Sequence, residues 1–424
     1  MLQFMFNSHD AASVGHLPGT GTYWRILSAM FCAGLATFAL LNCTQAIQPE
    51  FALQFSVSAA ETTLTVSLTT LGLGAGLLVA GPLSDVFGRT RLIHLSLLSS
   101  SVIAACCAFA PNWTALLTLR ALEGVALAGL PAVAIAYLRE ELHANTHARA
   151  AGLYIAGTAI GGMTGRLLTG AVADVGGWRW ALAAVAVLGL ACALATLLIL
   201  PPSHRFEPAP TGLSAMLRSA RRALRDPALL ALYGVGACAA GALNAMFNTV
   251  GFRLNGDPFL LSMAAASMVF LVYPIGAVSS AVSGRMVEIC GRRPILPLGC
   301  LIATTGIALT LLPALPWVVV GLALLTAGVF GVHAVASGWV TARAHAAGGA
   351  AGQAAAFYLF AYYSGSSLFG NMAGHMWDGP GWWGVVTLAT VLFAVAGALA
   401  LVLRRSPRLQ GSDAAQPALS VSSR

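Results

Sequence analysis

The sequence predicts an all-α polytopic membrane protein with 12 transmembrane helices in two pseudo-symmetric six-helix bundles. Three observations carry this. Of 424 residues, 58% are hydrophobic and only 8% are charged, against about 25% charged in a soluble globular chain. So little charge cannot cover a water-facing surface, which excludes soluble enzymes, disordered chains and collagen-like chains. The apolar residues fall into twelve runs of about 20 residues, the length that crosses a hydrocarbon core, without the alternation of barrel strands. Two stretches of the chain also recur about half a chain length apart.

The first run is 26–48. Residues 1–24 hold no arginine and no apolar core of a cleaved signal peptide, so this run is expected to be an uncleaved anchor. Its end is polar at Asn42, Thr44 and Gln45. Runs two to six follow at 62–83, 92–110, 114–138, 150–172 and 179–200. The fifth carries Gly157, Gly161 and Gly165, a stripe of small residues suited to close helix packing. Pro201 and Pro202 end the sixth and open the longest internal loop, which has five arginines and an amphipathic stretch near Leu213–Leu224. The second set runs 228–250, 262–283, 294–312, 316–341, 353–376 and 383–403. The expected organisation is a cytoplasmic tail 1–25, a bundle 26–200, a cytoplasmic central loop 201–227, a bundle 228–403 and a cytoplasmic tail 404–424.

Arginines orient the helices. With the N-terminus inside, eighteen arginines fall on the inner side and only Arg179 and Arg253 on the outer side. That asymmetry is a strong positive-inside signal and places both termini in the cytoplasm. The formal charge of +8 is therefore a topology signal, with no basic-aromatic pattern for nucleic acid. All 22 basic residues are arginine. Without lysine there is no Walker A site and no Schiff base, so an ion gradient is the expected drive. Seven of eight cysteines lie in apolar runs, Cys290 lies in a loop, and no CxxC pair occurs. No metal or cofactor is expected, and no HExxH or GxSxG motif suggests an enzyme.

The repeat is specific. Gly81, Asp85, Gly88 and Arg89 align with Gly284, Glu288, Gly291 and Arg292 at an offset of 203. Tyr154, Gly161, Gly170, Asp174, Gly177 and Trp178 align with Tyr358, Gly365, Gly374, Asp378, Gly381 and Trp382 at an offset of 204. Two matches at nearly one offset point to internal duplication, the mark of transporters that rock two similar halves about a central site.

These residues resemble the major facilitator superfamily. Gly81–Arg91 is similar to its loop motif G-x-L-a-D-r-x-G-r-r, and Arg120-Ala-Leu-Glu-Gly124 to its fourth-helix motif R-x-x-q-G. Gly161–Gly170 sits where antiporter members carry G-x-x-x-G-P-x-x-G. Tyr137 through Gly161, Trp178-Arg179, the stretch at His333 and that at Tyr358 resemble the bacterial arabinose-efflux-permease branch, the YnfM-like drug:proton antiporters. The resemblance covers essentially the whole chain. It implies two six-helix bundles in the inner membrane and proton-driven export of small molecules. Here the antiporter proline is Arg166, the fourth-helix glutamine is Glu123, and the first helix has no acid.

Four groups of residues are candidates. Asp85 and Glu288 can accept backbone N–H bonds from a helix N-terminus and pair with loop arginines, while Gly81 and Gly88 permit close helix approach and a tight turn. In the family this cluster latches the outward-facing state; the bland alternative is a static topology anchor. Arg120, Glu123 and Arg166 are the charges well inside the runs, and charges there mark function more often than packing. Glu123 lies at i+3 from Arg120 and can pair with it, leaving one guanidinium surplus for an anionic group. Glu123 is the simplest proton carrier. His333 is the other buried acid–base candidate, or a packing residue. Gln45, Asn244, Asn248, Tyr154, Tyr358 and Tyr362, with Tyr363, are expected to line the substrate cavity, or to bond helices together.

The expected function is secondary transport by alternating access, as proton-coupled export of small organic molecules such as drugs, sugars or metabolites by a monomer. The rival readings are proton-coupled uptake of a small anionic solute and a non-transporting membrane sensor.

Overall fold

The computed structural model describes residues 15–203, 218 and 220–404. Most of both expected tails, part of the amphipathic stretch, and Arg205, Arg405, Arg408 and Arg424 lie outside the described residues. Fourteen α-helices carry the described chain: α1 Gly21–Asn42, α2 Gln48–Phe55, α3 Ala59–Phe87, α4 Arg89–Ala108, α5 Trp113–Leu127, α6 Gly129–Glu141, α7 His147–Ile199, α8 Pro227–Asn255, α9 Met263–Ser267, α10 Pro274–Cys290, α11 Arg292–Leu309, α12 Leu315–Ala346, α13 Ala351–Asp378 and α14 Trp382–Arg404. Backbone groups inside a bilayer must be bonded within their own segment, which favours helices over irregular chain.

Among the described residues nine helical stretches are long and apolar enough to cross a membrane. One of them contains two crossings, because Gly177 at φ 79°, ψ 173° breaks α7 where a loop between runs five and six is expected. The turn needs no linker, since glycine adopts this backbone conformation without a Cβ clash. With α11 and α13 packed into the same bundle, the architecture is twelve transmembrane helices in two halves. Three crossings are built from two helices each: α1 with α2, α5 with α6, and α9 with α10. Prolines explain two of these restarts, since Pro49 and Pro274 stand in the first turn of α2 and α10, where a missing N–H costs nothing.

Polar residues inside the helices are satisfied locally. The threonine-rich face of α3 is buried, with Thr62, Thr63, Thr65, Thr69 and Thr70 donating their hydroxyls to carbonyls three or four residues back. Ser58 and Glu61 form a capping box at its start, and Gly88 at φ 87° ends it. The expected glycine stripe packs as a seam. A Cβ on Gly157, Gly161 or Gly165 would stand 2.5, 2.2 or 2.4 Å from a backbone oxygen of α1, so α1 and α7 touch backbone to backbone. Each half has its own apolar core. Large apolar side chains such as Val175, Leu198, Leu301 and Val402 remain exposed around the bundle, where lipid covers them.

Candidate functional site: polar nodes between the two halves

α1 stops at Asn42 inside the bundle, and the chain passes through a 3₁₀ turn at Gln45–Ile47 before α2. A helix that ends away from water leaves its last carbonyls without partners. Arg120 reaches two of them from α5, its Nη1 donating to Leu40 O at 3.1 Å and Nη2 to Leu41 O at 2.9 Å, while its Nε donates to Thr65 O of α3 at 3.0 Å. Thr169 donates its hydroxyl to Cys43 O at 2.7 Å. Arg120 and Glu123 are both buried and form the expected ion pair at 2.7 Å. Only Oε2 of Glu123 is used; Oε1 is buried without a hydrogen-bond partner.

Arg166 serves the next residues of the same break. Its Nε donates to Gln45 Oε1 at 2.5 Å, Nη1 to Gly162 O at 2.6 Å, and Nη2 to Asn42 Oδ1 at 3.0 Å and to Tyr273 Oη at 2.9 Å. Its guanidinium also lies against the rings of Phe270 and Tyr273, 4.9 and 4.2 Å from their centroids, a favourable face for a cation. Gln45 then donates to Asn248 Oδ1 at 2.6 Å and Asn244 Oδ1 at 3.1 Å. This chain joins α7 and α1 of the first half to α8 and the α9–α10 turn of the second. Arg120 and Arg166 thus meet through residues 40–45. Glu123 pairs with Arg120 alone, and no carboxylate among the described residues lies within ion-pair distance of Arg166.

His333 falls outside this network. It stands in the second half, its Nδ1 3.1 Å from Tyr358 Oη and its ring 4.7 Å from that of Tyr362. Tyr154 is buried in the first-half core, apart from the Gln45–Asn244–Asn248 amides. Tyr358 and Tyr363 are also buried.

At the end of the bundle that holds residues 21 and 404, the first repeat loop forms a cluster. Arg89 bridges Asp85 at 2.8 Å and Glu140 at 3.2 Å and bonds Ser84. Glu288 in the second loop is exposed, and no ion pair involves it among the described residues. Gly88 and Gly291 make the expected tight turns at φ 87° and 78°. The close approach expected at Gly81 does not occur: a Cβ on Gly81 or Gly284 would meet nothing within 4 Å.

The bonds expected from Asp85 to a helix N-terminus are made instead at the opposite, far end. Asp174 accepts from Met263 N at 2.8 Å and Ala264 N at 3.0 Å. Asp378 accepts from Ala59 N at 3.1 Å and Ala60 N at 3.0 Å. Each carboxylate holds the first turn of a helix in the opposite half. Asn371 adds a bond to Ala60 O at 2.8 Å. In sequence the two aspartates appear only as a repeat pair. Glu140 and Tyr273 carry no signal at all, because their partners are distant in the chain.

Two duplicated helical bundles, joined by polar bonds at their centre and one end, define an integral membrane transporter of the duplicated-bundle type. Residues 26–370 match the model of the Major Facilitator Superfamily, and the chain belongs to that family. It is a transporter and not an enzyme. It is 39% identical over 392 residues to the uncharacterised MFS-type transporter YybF of Bacillus subtilis (strain 168), covering 92% of this chain and 96% of that one. It is 38% identical over 378 residues to the inner membrane transport protein YnfM of Escherichia coli (strain K12), covering 89% and 90%. Its fold is similar to that of a bacterial homologue of the human lysosomal transporter Spinster, crystallised in an inward-facing and occupied conformation. The TM-score is 0.74 at 18% identity, covering 92% of this chain and 98% of that one.

Proposed function

We propose that the protein exports small organic molecules across the bacterial inner membrane, driven by protons that move in the opposite direction, as a monomer with both termini in the cytoplasm. Alternating access carries the exchange. The observation that supports it is the pair of aspartate caps, Asp174 on α9 and Asp378 on α3. In this orientation they close the outer end of the pathway, while at the cytoplasmic end nothing packs against Gly81 or Gly284. The Asp85–Arg89–Glu140 cluster is the cytoplasmic latch of the other state, with the Glu288 loop as its counterpart. The Arg166–Gln45–Asn248 chain crosses between the halves, so a rocking motion must break it, and a ligand that replaces its bonds can drive the motion.

Glu123 is the proton carrier. It is a buried carboxylate with one unbonded oxygen beside a single arginine, so protonation removes half of an ion pair and reorganises the end of α1 through Arg120. The direction of export follows the glycine seam of α7, which resembles the antiporter pattern.

The test is purified protein in liposomes under an imposed pH gradient, with a panel of sugars, cationic drugs and organic anions. Counter-directed proton and substrate flux, lost in Glu123→Gln while substrate exchange persists, is the expected result. Co-directional flux would overturn export in favour of uptake.

A further inference from the structure

The geometry points to a carboxylate subsite at Gly162, where the anionic group of the substrate is held by Arg166 and Asn42. This rests on the transport reading above and adds the substrate's chemical class. The guanidinium of Arg166 is fully buried, and its side-chain acceptors are the neutral groups of Gln45, Asn42 and Tyr273. Among the described residues the only other buried arginine, Arg120, has Glu123. A charge buried in a bilayer-spanning bundle without a counter-charge is costly, and a ligand anion would supply one.

The donors converge on one place. Arg166 Nη1 gives one of its two N–H groups to Gly162 O, and Asn42 Nδ2 gives one of its two to Phe38 O. Each keeps one N–H without an acceptor. A Cβ on Gly162 would lie 3.3 Å from that Nη1 and 3.8 Å from that Nδ2, with no other neighbour within 4 Å. The recess is therefore edged by two donors and is tight, since 3.3 Å is closer than a carbon ordinarily packs, so an anion enters it only as Arg166 shifts. The orientation of Asn42 is fixed, since its Oδ1 accepts from Arg166 Nη2. Arg166 in turn lies against Phe270 and Tyr273, and its remaining Nη1 N–H can make one charge-assisted hydrogen bond to a carboxylate oxygen. Those rings and Tyr273 Oη belong to the second half, so an anion that draws Arg166 toward the recess competes with a bond between the halves.

The full chain in detergent can be tested by thermal unfolding with acetate, benzoate and 1-naphthoate, each beside the alcohol and amine of the same skeleton, and with chloride. At least one carboxylate is expected to raise the wild-type melting temperature, and its alcohol and amine not to. Gly162→Ala puts a methyl group 3.3 Å from Nη1, occupying the recess in a residue that a helix tolerates, and is expected to raise the half-saturating concentration at least tenfold. Arg166→Lys, which keeps the charge, is expected to retain a weakened response, whereas Arg166→Gln loses it. The inference is overturned if no carboxylate exceeds its alcohol, if chloride protects as well as any carboxylate, or if Gly162→Ala binds like the wild type. Flux in liposomes separates the two readings. Carboxylate binding without flux contradicts transport alone, and proton-linked flux of cations or neutral compounds only contradicts the subsite alone.

Discussion

Asp174 and Asp378 stand 204 residues apart and perform the same act in mirror halves: each carboxylate accepts two backbone N–H groups from the first turn of a helix in the other half. The helices they cap are related by the same offset, since Met263 and Ala264 correspond to Ala59 and Ala60. The duplication therefore conserves a bond between the halves as well as a fold within them.

A negative charge at a helix N-terminus is worth about 0.3–1 kcal/mol. Asp174→Asn with Asp378→Asn should shift the equilibrium away from the far-end-closed state by roughly 3- to 30-fold. The readout is the labelling rate of Ser67→Cys by an impermeant maleimide added from the far side, expected to rise. An unchanged rate in a folded double variant would mean that the caps do not hold this end shut.

Arg120 and Glu123 should show strong coupling in stability. Arg120→Met leaves Glu123 as a buried unpaired carboxylate, a loss of about 3–5 kcal/mol. Arg120→Met with Glu123→Leu removes that charge and should unfold at a higher temperature than Arg120→Met alone. It stays below the wild type, because the carbonyls of Leu40, Leu41 and Thr65 still lose the hydrogen bonds of the guanidinium. Strict additivity of the two single variants contradicts this account.

Asp85→Asn should leave expression and membrane insertion normal, since partly exposed ion pairs contribute about 1 kcal/mol or less and Arg89 keeps Glu140. Transport in liposomes should nevertheless fall about tenfold, which corresponds to ~1.4 kcal/mol against the outward-facing state. Normal flux in a normally inserted variant would reduce the cluster to a topology anchor.

Two glycines of α7 separate packing from flexibility. Gly161→Ala drives a methyl group to 2.2 Å from Leu35 O and should cost about 1–3 kcal/mol in thermal denaturation. Gly152→Ala meets nothing within 4 Å and should be neutral or stabilise by up to about 1 kcal/mol. Equal effects would mean that the seam with α1 is loose.

Much of this was legible in the chain, for physical reasons. A bilayer demands long apolar runs and sterically small seams, so the twelve crossings and the close packing of Gly157, Gly161 and Gly165 follow from residue spacing, while the identity of their partner, α1, does not. The pairing of Arg120 with Glu123 follows from helical periodicity. What spacing cannot carry is the geometry across the halves. Arg166 reads as surplus charge, but its partners Asn42, Gln45 and Tyr273 lie 124, 121 and 107 residues away. His333 reads as a companion of the arginines because it too is a buried titratable group, yet its helix places it among tyrosines. The helix-capping role expected of Asp85 belongs to Asp174 and Asp378, because this structure brings the halves together at the far end.

The central claim is that the two ends open alternately. Spin labels on Val86→Cys with Ile289→Cys report the terminal end, and labels on Leu53→Cys with Leu260→Cys report the far end; all four positions are exposed. Pulsed dipolar spectroscopy on protein with its native cysteines replaced should give a long terminal-end distance and a short far-end distance in the wild-type background. Adding Asp174→Asn and Asp378→Asn should shorten the first and lengthen the second together. Distances that stay fixed at both ends, or that lengthen together, would contradict alternating access in this chain.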